Sequence, residues 1–260
     1  MRKAAALCLA LVTALAPAAC GGGSQGVELT VFAAASMQEA LTEISENYRE
    51  DHPNVTVVCN FDSSGTLQTQ IEEGAACDLF ISAGQKQMDA LAGGGYISAG
   101  TRFDLLENKV ALAVPDGNPG SINSYDDLKT GLEAGTVFLA MGNSDVPVGQ
   151  YTRKILAYYG LDEAALAGAG RITYGSNVKE VTTQIAEGLA DCGVIYATDA
   201  FSAGLAVVDV ATEEMCGQVI YPAAVLSGSA RADEARAFLD YIRSAEGAKV
   251  LERVGFTPLG

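Results

Sequence analysis

The sequence contains one histidine, His52, and no tryptophan in 260 residues. His52 is followed by Pro53 at the end of a predicted helix, which indicates a solvated loop. This composition argues against a Ser–His–acid catalytic triad and against a metal site built from histidines. We therefore expect no catalytic residues of that kind and no direct cation ligands.

Basic residues are also scarce: 16 Lys plus Arg stand against 32 Asp plus Glu, so the formal net charge is −16. Nucleic acids and anionic lipid surfaces are bound through basic patches that neutralise phosphate. The charge balance argues against both as partners. An anionic ligand would be repelled at long range, so it would have to be held by close, directed hydrogen bonds.

The apolar segment 4–19 is too short for a comfortable membrane span and follows two basic residues. We predict that residues 1–19 are an export signal peptide. The next residues, Ala18-Ala19-Cys20 and a glycine run, resemble a bacterial lipoprotein signal, which implies a lipid on Cys20 and a flexible linker over residues 20–26. Pro17 departs from that pattern, so an ordinary cleavable signal peptide is the alternative.

Four cysteines follow the two in the N-terminal segment, and their spacing matches no zinc motif. An even number in an exported protein permits two disulfides, with three possible connectivities. We predict pairing between sequence neighbours, with buried free thiols as the alternative. The predicted pairs are Cys59–Cys77 and Cys192–Cys216.

Short, β-branched, mostly unbroken apolar runs predict strands buried on both faces, as in a parallel sheet. The stretches between them carry apolar residues at three- and four-residue spacing, which is typical of helices. Such alternation defines an α/β fold. The predicted strands are 29–32, 55–61, 79–81, 110–114, 137–141, 194–196, 207–210 and 219–225, and the clearest predicted helices are Ser36–Glu50, about 230–244 and about 245–254.

Five loops lead from a predicted strand into a predicted helix and carry small or hydroxyl residues at the junction. A helix start exposes N–H groups without internal partners and bears the positive end of the helix dipole. Several such ends meeting at one point would hold an ionised oxyanion with almost no cationic side chain. The loops are 33–36, 63–66, 82–84, 146–149 and 176–178.

Six motifs occur in an order and spacing that resemble the periplasmic molybdate-binding proteins of ABC importers, over essentially the whole chain after the signal. Each motif alone is weak, and the ordered set is specific. They are LTVFAAAS at 29–36, FDSSGTL at 61–67, DLFISA at 78–83, VPVGQY at 146–151, GVIYATD at 193–199 and GFTP at 255–258.

The resemblance implies a two-lobed type II periplasmic binding protein fold, in which each lobe is a mostly parallel sheet flanked by helices and crossover strands join the lobes. By the same analogy, residues 27–107 plus 206–260 form lobe 1 and residues 108–205 form lobe 2. The lobes would close on the ligand like a hinged clamp.

The resemblance also implies a site for a tetrahedral oxyanion, held by neutral donors from both lobes. Lobe 1 would supply hydroxyl and backbone N–H groups of two serines and one further amide, and lobe 2 would supply two amides and a phenol. The implied ligand-binding residues are Ser36, Ser64, Ala83, Val148, Val178 and Tyr196.

Other interpretations of these residues stay open. Ser36 with Glu39 forms a Ser-x-x-Glu capping box that needs no ligand, and Ser64 could likewise be a helix cap. Asp62 could accept the proton of a phosphate if it points inward, although we expect it to point outward as a turn residue. Lys86 and Lys179 lie near two of the loops, where they could soften the local field or simply belong to helix surfaces.

The sequence thus predicts an exported molybdate or tungstate receptor, lipid-anchored at the outer face of the cytoplasmic membrane or periplasmic. Its partners would be the oxyanion and the permease subunits of an ABC importer, with no cofactor and no nucleic acid, and we expect a monomer. Phosphate or sulfate is the alternative ligand. An enzyme on the same fold would need a positioned acid, base or nucleophile, and the loops are poor in titratable groups.

Overall fold

The computed structural model describes residues 26–259. The predicted signal peptide and the lipid-anchor cysteine lie outside the described residues. Within residues 26–259 no helix is long and apolar enough to span a bilayer.

Strands and helices alternate along the described chain, as the apolar pattern predicts. The strands are β1 Val27–Ala34, β2 Val55–Asp62, β3 Leu79–Ile81, β4 Phe103–Asn108, β5 Val110–Val114, β6 Leu139–Gly142, β7 Ile172–Gly175, β8 Cys192–Tyr196, β9 Ala206–Val210, β10 Val219–Val225 and β11 Thr257–Pro258. The helices are α1 Gln38–Asp51, α2 Ser64–Glu72, α3 Gln85–Gly93, α4 Tyr125–Ala134, α5 Pro147–Tyr158, α6 Glu163–Gly168, α7 Val178–Ala186, α8 Ala197–Ala203, α9 Glu213–Cys216, α10 Ala232–Ile242 and α11 Ala245–Arg253.

The strands form two separate mixed sheets, one in each lobe. The first has the order β11-β4-β10-β3-β1-β2, and the second has the order β7-β6-β8-β5-β9. Strands β1 to β4 point the same way, as do β6 to β9, whereas β5, β10 and β11 run in the opposite direction. The predicted α/β, two-lobed architecture with mostly parallel strand directions is confirmed.

The chain passes between the two sheets twice. The first passage is the single residue Lys109 between β4 and β5, and the second is the segment from α9 to β10. Strand β9 pairs with β5 in the second sheet, and α9 packs on α5. The sequence placed residues 206–210 in lobe 1; backbone pairing instead assigns them to lobe 2, because an apolar run carries no information about which sheet receives it.

The amphipathic helices bury the predicted faces. In α1 the buried residues are Ala40, Leu41, Ile44 and Tyr48, and in α7 they include Val181 and Ile185. Burial of each large aliphatic side chain contributes about 1.5–3 kcal/mol, which explains why these faces lie against the sheets. Leu189 lies beyond the end of α7 and is 62% exposed.

Three strands were missed by the sequence pattern: β4, β7 and β11. They are short or carry charged residues, so none gives a continuous apolar run. The predicted disulfides are also wrong, because Cys59, Cys77, Cys192 and Cys216 are all free thiols.

Candidate functional site

One small cavity lies between the two lobes, and all six residues that the sequence singled out line it. The space in it that the centre of a water-sized sphere can enter is small, about 10 Å³. Each of the six residues is at most 4% exposed, so the cleft is closed. The lining residues are Ala34, Ala35, Ser36, Asp62, Ser63, Ser64, Ala83, Val146, Pro147, Val148, Val178 and Tyr196.

Three helices begin at the cavity, namely α2 from lobe 1 and α5 and α7 from lobe 2. The cap side chain of Ser63 accepts the amide of Thr66, and that of Asn177 accepts the amide of Glu180. Each cap accepts the amide of the third residue of its helix. The amides of the first residues, Ser64 in α2 and Val178 in α7, are left for another acceptor. In α5 Pro147 occupies the first position, so Val148 offers the next amide.

The lining contains no lysine or arginine, and Asp62 is its one charged residue. Its polar groups are hydroxyls and backbone amides. An anion in the cavity would therefore be held by donors without a countercharge, with the helix dipoles as the source of positive potential.

Ser36 does not cap a helix. It lies in a 3-10 turn, Ala35–Met37, and α1 begins after Met37 without any side-chain cap. The Ser36 hydroxyl is 2.8 Å from the hydroxyl of Tyr221, and Glu39 pairs with Lys179 instead of completing a capping box. The capping-box interpretation is therefore wrong, and the Ser36 side chain is turned towards the inside of the cleft.

Ser64 is not a cap either, since Ser63 occupies that position. The Ser64 hydroxyl accepts the Ala83 amide at 2.9 Å, so this amide is directed at Ser64. With an acceptor position of the oxygen filled, the Ser64 hydrogen is available to a ligand. The sequence could not separate Ser63 from Ser64, because either fits the start of α2.

Tyr196 reaches across the cleft. Its hydroxyl donates to the Ala83 carbonyl of lobe 1 at 3.4 Å. Burial raises the pKa of Tyr196 well above its ordinary value, with further contributions from nearby Tyr221 and Asp199. The phenol therefore keeps its hydrogen and can act as a donor at any physiological pH.

The side chain of Asp62 also crosses the cleft. The prediction that Asp62 points outward as a turn residue is therefore wrong. Its Oδ1 accepts the Ser63 amide at 2.7 Å and the side-chain amide of Asn177 in lobe 2 at 3.2 Å. The carboxylate thus ties the start of α2 to the start of α7.

An ion-pair cluster lies beside the cavity. Lys179 of α7 contacts both carboxylate oxygens of Glu39 in α1, at 2.8 and 2.7 Å, and lies 3.1 Å from Oδ1 of Asp199. The Asp199 side chain is fully buried, and burial raises its pKa to about 6, although Lys179 acts in the opposite direction. For Lys179, burial lowers the pKa and the two carboxylates raise it by more, so it stays charged.

Sequence reasoning missed Tyr221, Asn108 and Asp199 as parts of this region. Asp199 stood in the motif at 193–199 without a role. Tyr221 is the single residue with a hydroxyl in the apolar run of β10, and Asn108 ends a strand before a cationic residue. Those are weak signals, since the hydrogen bonds of Tyr221 and Asn108 join residues about 90 to 185 positions apart.

Two α/β lobes that close on a donor-lined cavity define a two-lobed ligand-binding protein. The comparison with known families agrees: residues 29–257 match the bacterial extracellular solute-binding protein family, and the chain belongs to it.

Individual relatives cover most of the chain. The Bacillus subtilis (strain 168) protein YvgL, named for an inferred role as an ABC transporter substrate-binding lipoprotein, is 35% identical over 89% of this chain and 86% of its own length. The molybdate-binding protein ModA of Escherichia coli K12 is 34% identical over 88% of this chain and 89% of its own. The solved periplasmic molybdate-binding protein of Azotobacter vinelandii has a TM-score of 0.79 at 22% identity, covering 89% of this chain and all of that one.

A more distant relative is an enzyme. The aconitate isomerase of a Pseudomonas species is 24% identical over 89% of this chain and 88% of its own. The relatives with higher identity that are described above carry names of solute-binding proteins.

Proposed function

We propose that this protein is the receptor of an ABC importer for molybdate or tungstate, exported and anchored by a lipid on Cys20. The observation that carries the proposal is the closed cavity between the lobes, lined by hydroxyls and helix-start amides and by no cationic side chain. The names of the 34–35% identical relatives support a substrate-binding role, and the name of YvgL supports the lipid anchor.

The binding groups act as donors to a fully deprotonated dianion. The hydroxyl and backbone N–H groups of Ser36 and Ser64 and the amides of Val148 and Val178 would contact the ion. The phenol of Tyr196 would donate to the ion in place of the Ala83 carbonyl, and the Ala83 amide would act through the Ser64 hydroxyl. Hydrogen bonds to a charged partner contribute roughly 1.5–3 kcal/mol each, so six to eight give about 9–24 kcal/mol before costs. After desolvation and lobe ordering, a dissociation constant between micromolar and nanomolar is expected, about −8 to −12 kcal/mol.

Closure is the mechanism that joins binding to transport. Ser36 and Ser64 belong to lobe 1, whereas Val148, Val178 and Tyr196 belong to lobe 2, so the full donor set exists only when the lobes meet. The closed monomer would then dock on the membrane permease and release the ion. The cavity offers no positioned nucleophile, and Asp62 is already engaged by two N–H groups, so we propose binding and not catalysis.

Isothermal titration with molybdate, tungstate, sulfate and phosphate tests the proposal. We expect one-to-one binding of molybdate and tungstate, and a loss of about 10- to 150-fold for Ser36→Ala or Ser64→Ala. Heat from phosphate alone would assign the site to a protonated oxyanion with Asp62 as the acceptor. Turnover of cis-aconitate or a related acid would instead support an enzyme. Radiolabelled fatty acid should be incorporated into wild-type protein and not into Cys20→Ala.

A further inference from the structure

Asp199 is a buried carboxylate at the place where the two lobes meet. It lies in α8 of lobe 2, three residues after Tyr196 of the cavity lining, and its side chain is 0% exposed. Neither of its oxygens receives a well-directed hydrogen bond from residues 26–259. A buried carboxylate without such donors is poorly compensated while it carries its charge.

The cation beside Asp199 is shared with a second carboxylate. Lys179 Nζ lies 3.1 Å from Oδ1 of Asp199, and it also contacts both carboxylate oxygens of Glu39, at 2.8 and 2.7 Å. Lys179 and Asp199 belong to lobe 2, whereas Glu39 belongs to lobe 1. Closure therefore brings a second negative charge to a lysine that already has one as a partner.

The other elements of lobe 2 that pack against α8 bring no further charge to Asp199. These elements are α7, β5, β8 and β9. Helix α7 supplies Lys179, strand β5 has no titratable residue, and β8 supplies the phenol of Tyr196. The carboxylate of Asp209 in β9 is already bound to two backbone amides.

From lobe 1, the phenol of Tyr221 on β10 and the carboxylate of Glu39 on α1 lie near Asp199. Burial raises the pKa of Tyr221 and of Tyr196 well above its ordinary value, so both phenols stay neutral. The charges that act on Asp199 in the closed protein are therefore the positive charge of Lys179 and the negative charge of Glu39.

An oxyanion in the cavity would add two more negative charges close to Asp199. Tyr196 and Val178 line the cavity, and Lys179 follows Val178 directly in the chain. In the closed protein burial raises the pKa of Asp199 to about 6, although Lys179 acts in the opposite direction. Since negative charges nearby disfavour ionisation of a carboxyl group, closure and the bound dianion both act to raise this pKa further.

We infer that binding of the oxyanion is coupled to the uptake of one hydrogen ion by Asp199. A hydrogen ion from solvent adds to the carboxylate, which becomes a neutral carboxylic acid, and Lys179 keeps Glu39 as its charged partner. The receptor therefore holds its ligand more tightly in acidic surroundings, and opening returns the hydrogen ion together with the oxyanion. This inference rests on the proposed oxyanion site and adds to it a regulation by pH.

Calorimetry in two buffers that differ in their enthalpy of protonation counts the hydrogen ions taken up for each molybdate bound. Free molybdate carries no hydrogen at pH 6, so any uptake belongs to the protein. We expect about 0.5 to 1 hydrogen ion for each molybdate at pH 6, and a dissociation constant about tenfold lower at pH 5 than at pH 8. Wild-type protein that binds molybdate without uptake overturns the inference.

Asp199→Asn keeps the size of the side chain and cannot take up a hydrogen ion. It should bind molybdate without uptake and with the same dissociation constant at pH 5 and pH 8. The matched control is His52→Gln, because histidine ordinarily titrates near pH 6 and His52 is the one histidine of the sequence. His52 follows the last residue of α1, about 20 Å from Glu39 in the first turn, so the control should keep the wild-type uptake. Uptake that persists in Asp199→Asn, or that disappears in His52→Gln, overturns the inference.

Two further variants test the role of the neighbouring charges even if Asp199→Asn does not fold. In Glu39→Gln one negative charge fewer acts on Asp199 in the closed state, so the pH of maximal uptake should fall. In Lys179→Gln the carboxylate loses its cation in both states, so the pH of maximal uptake should rise. A general loss of structure would not move the two variants in opposite directions, and shifts in the same direction overturn the inference.

The same titrations separate this inference from the proposed function. Wild-type protein that binds neither molybdate, tungstate, sulfate nor phosphate overturns both together. Tight binding of molybdate without any uptake of hydrogen ions overturns only the coupling to Asp199.

Discussion

Lys179 and Glu39 form an ion pair across the cleft, with the lysine Nζ at 2.8 and 2.7 Å from the two carboxylate oxygens. Lys179 follows directly after Val178, whose amide begins α7 at the cavity, and Glu39 lies in the first turn of α1. The pair therefore exists only while the lobes are closed. It stabilises the closed state without contacting the cavity.

Removal of this pair should favour opening. In Glu39→Gln the lysine keeps Asp199 as a partner, so no buried charge is left alone. Since partly exposed ion pairs contribute about 0.2–1 kcal/mol, we expect molybdate to bind two- to fivefold more weakly, mainly through faster dissociation. Stopped-flow measurement gives both rates. Glu133→Gln, which breaks the Lys129–Glu133 pair within α4, is the control and should have no effect. Equal rates for the two variants would contradict a role in closure.

Gly65 lies where the two lobes meet. A Cβ at this position would overlap the backbone carbonyl of Asp145, which belongs to the other lobe. Gly65→Ala should therefore fold normally but fail to close, with at least tenfold weaker molybdate binding and no decrease in the radius of gyration on adding ligand. Small-angle scattering with titration measures both. Gly93→Ala in α3, whose Cβ would meet nothing within 4 Å, should behave as wild type. A compact, tightly binding Gly65→Ala protein would refute this view of closure.

Asp199 should make stability depend on pH in a defined direction. Its pKa is raised by burial to about 6, so between pH 4 and 6 the folded state binds more hydrogen ions than the unfolded state. The free energy of unfolding due to this group therefore falls as pH rises through that window, by about 3 kcal/mol. Urea unfolding measures the free energy of unfolding of wild type and of Asp199→Asn. The value for wild type minus the value for Asp199→Asn should decrease by this amount from pH 4 to 7. Hydrogen bonds from Ser176 lower the pKa of Glu180. Its contribution to the pH dependence is the same in wild type and Asp199→Asn, so it cancels in the difference between their free energies of unfolding. A constant difference would contradict the assignment.

The four cysteines of the described chain should be thiols. Burial raises the pKa of Cys77 to about 12 and also raises that of Cys192, so both should resist alkylation in the folded protein. Cys59 is only partly buried and should react first. Mass-spectrometric mapping without reduction should find all four alkylated after unfolding. A peptide linking Cys59 to Cys77, or Cys192 to Cys216, would contradict the structure.

Local sequence patterns predicted most of the strands but not which strands pair with each other. The continuous apolar runs predicted β1, β5 and β10, because a strand buried on both faces needs no other signal. The same runs could not assign β9 to its sheet, and β4 was missed because charged residues interrupt it. Sheet membership depends on long-range hydrogen bonds, which leave no local trace.

The candidate site was also predicted only in part: its residues were located, but their hydrogen-bond partners were not. The resemblance located Ser36, Ser64 and Tyr196, and the structure gathers them around one cavity. What each hydroxyl does there depends on partners far away in the chain, such as Tyr221 for Ser36. Those partners became visible only when the fold placed β10 beside the cleft, so sequence reasoning could identify the donors but not their direction.

Crystals grown with molybdate and measured at the molybdenum absorption edge test the central claim most directly. The proposal predicts a single anomalous peak in the cavity between α2, α5 and α7, within hydrogen-bonding distance of hydroxyls and amides from both lobes and of no lysine or arginine. A cavity without a peak, or a peak held by cationic side chains elsewhere, would contradict it.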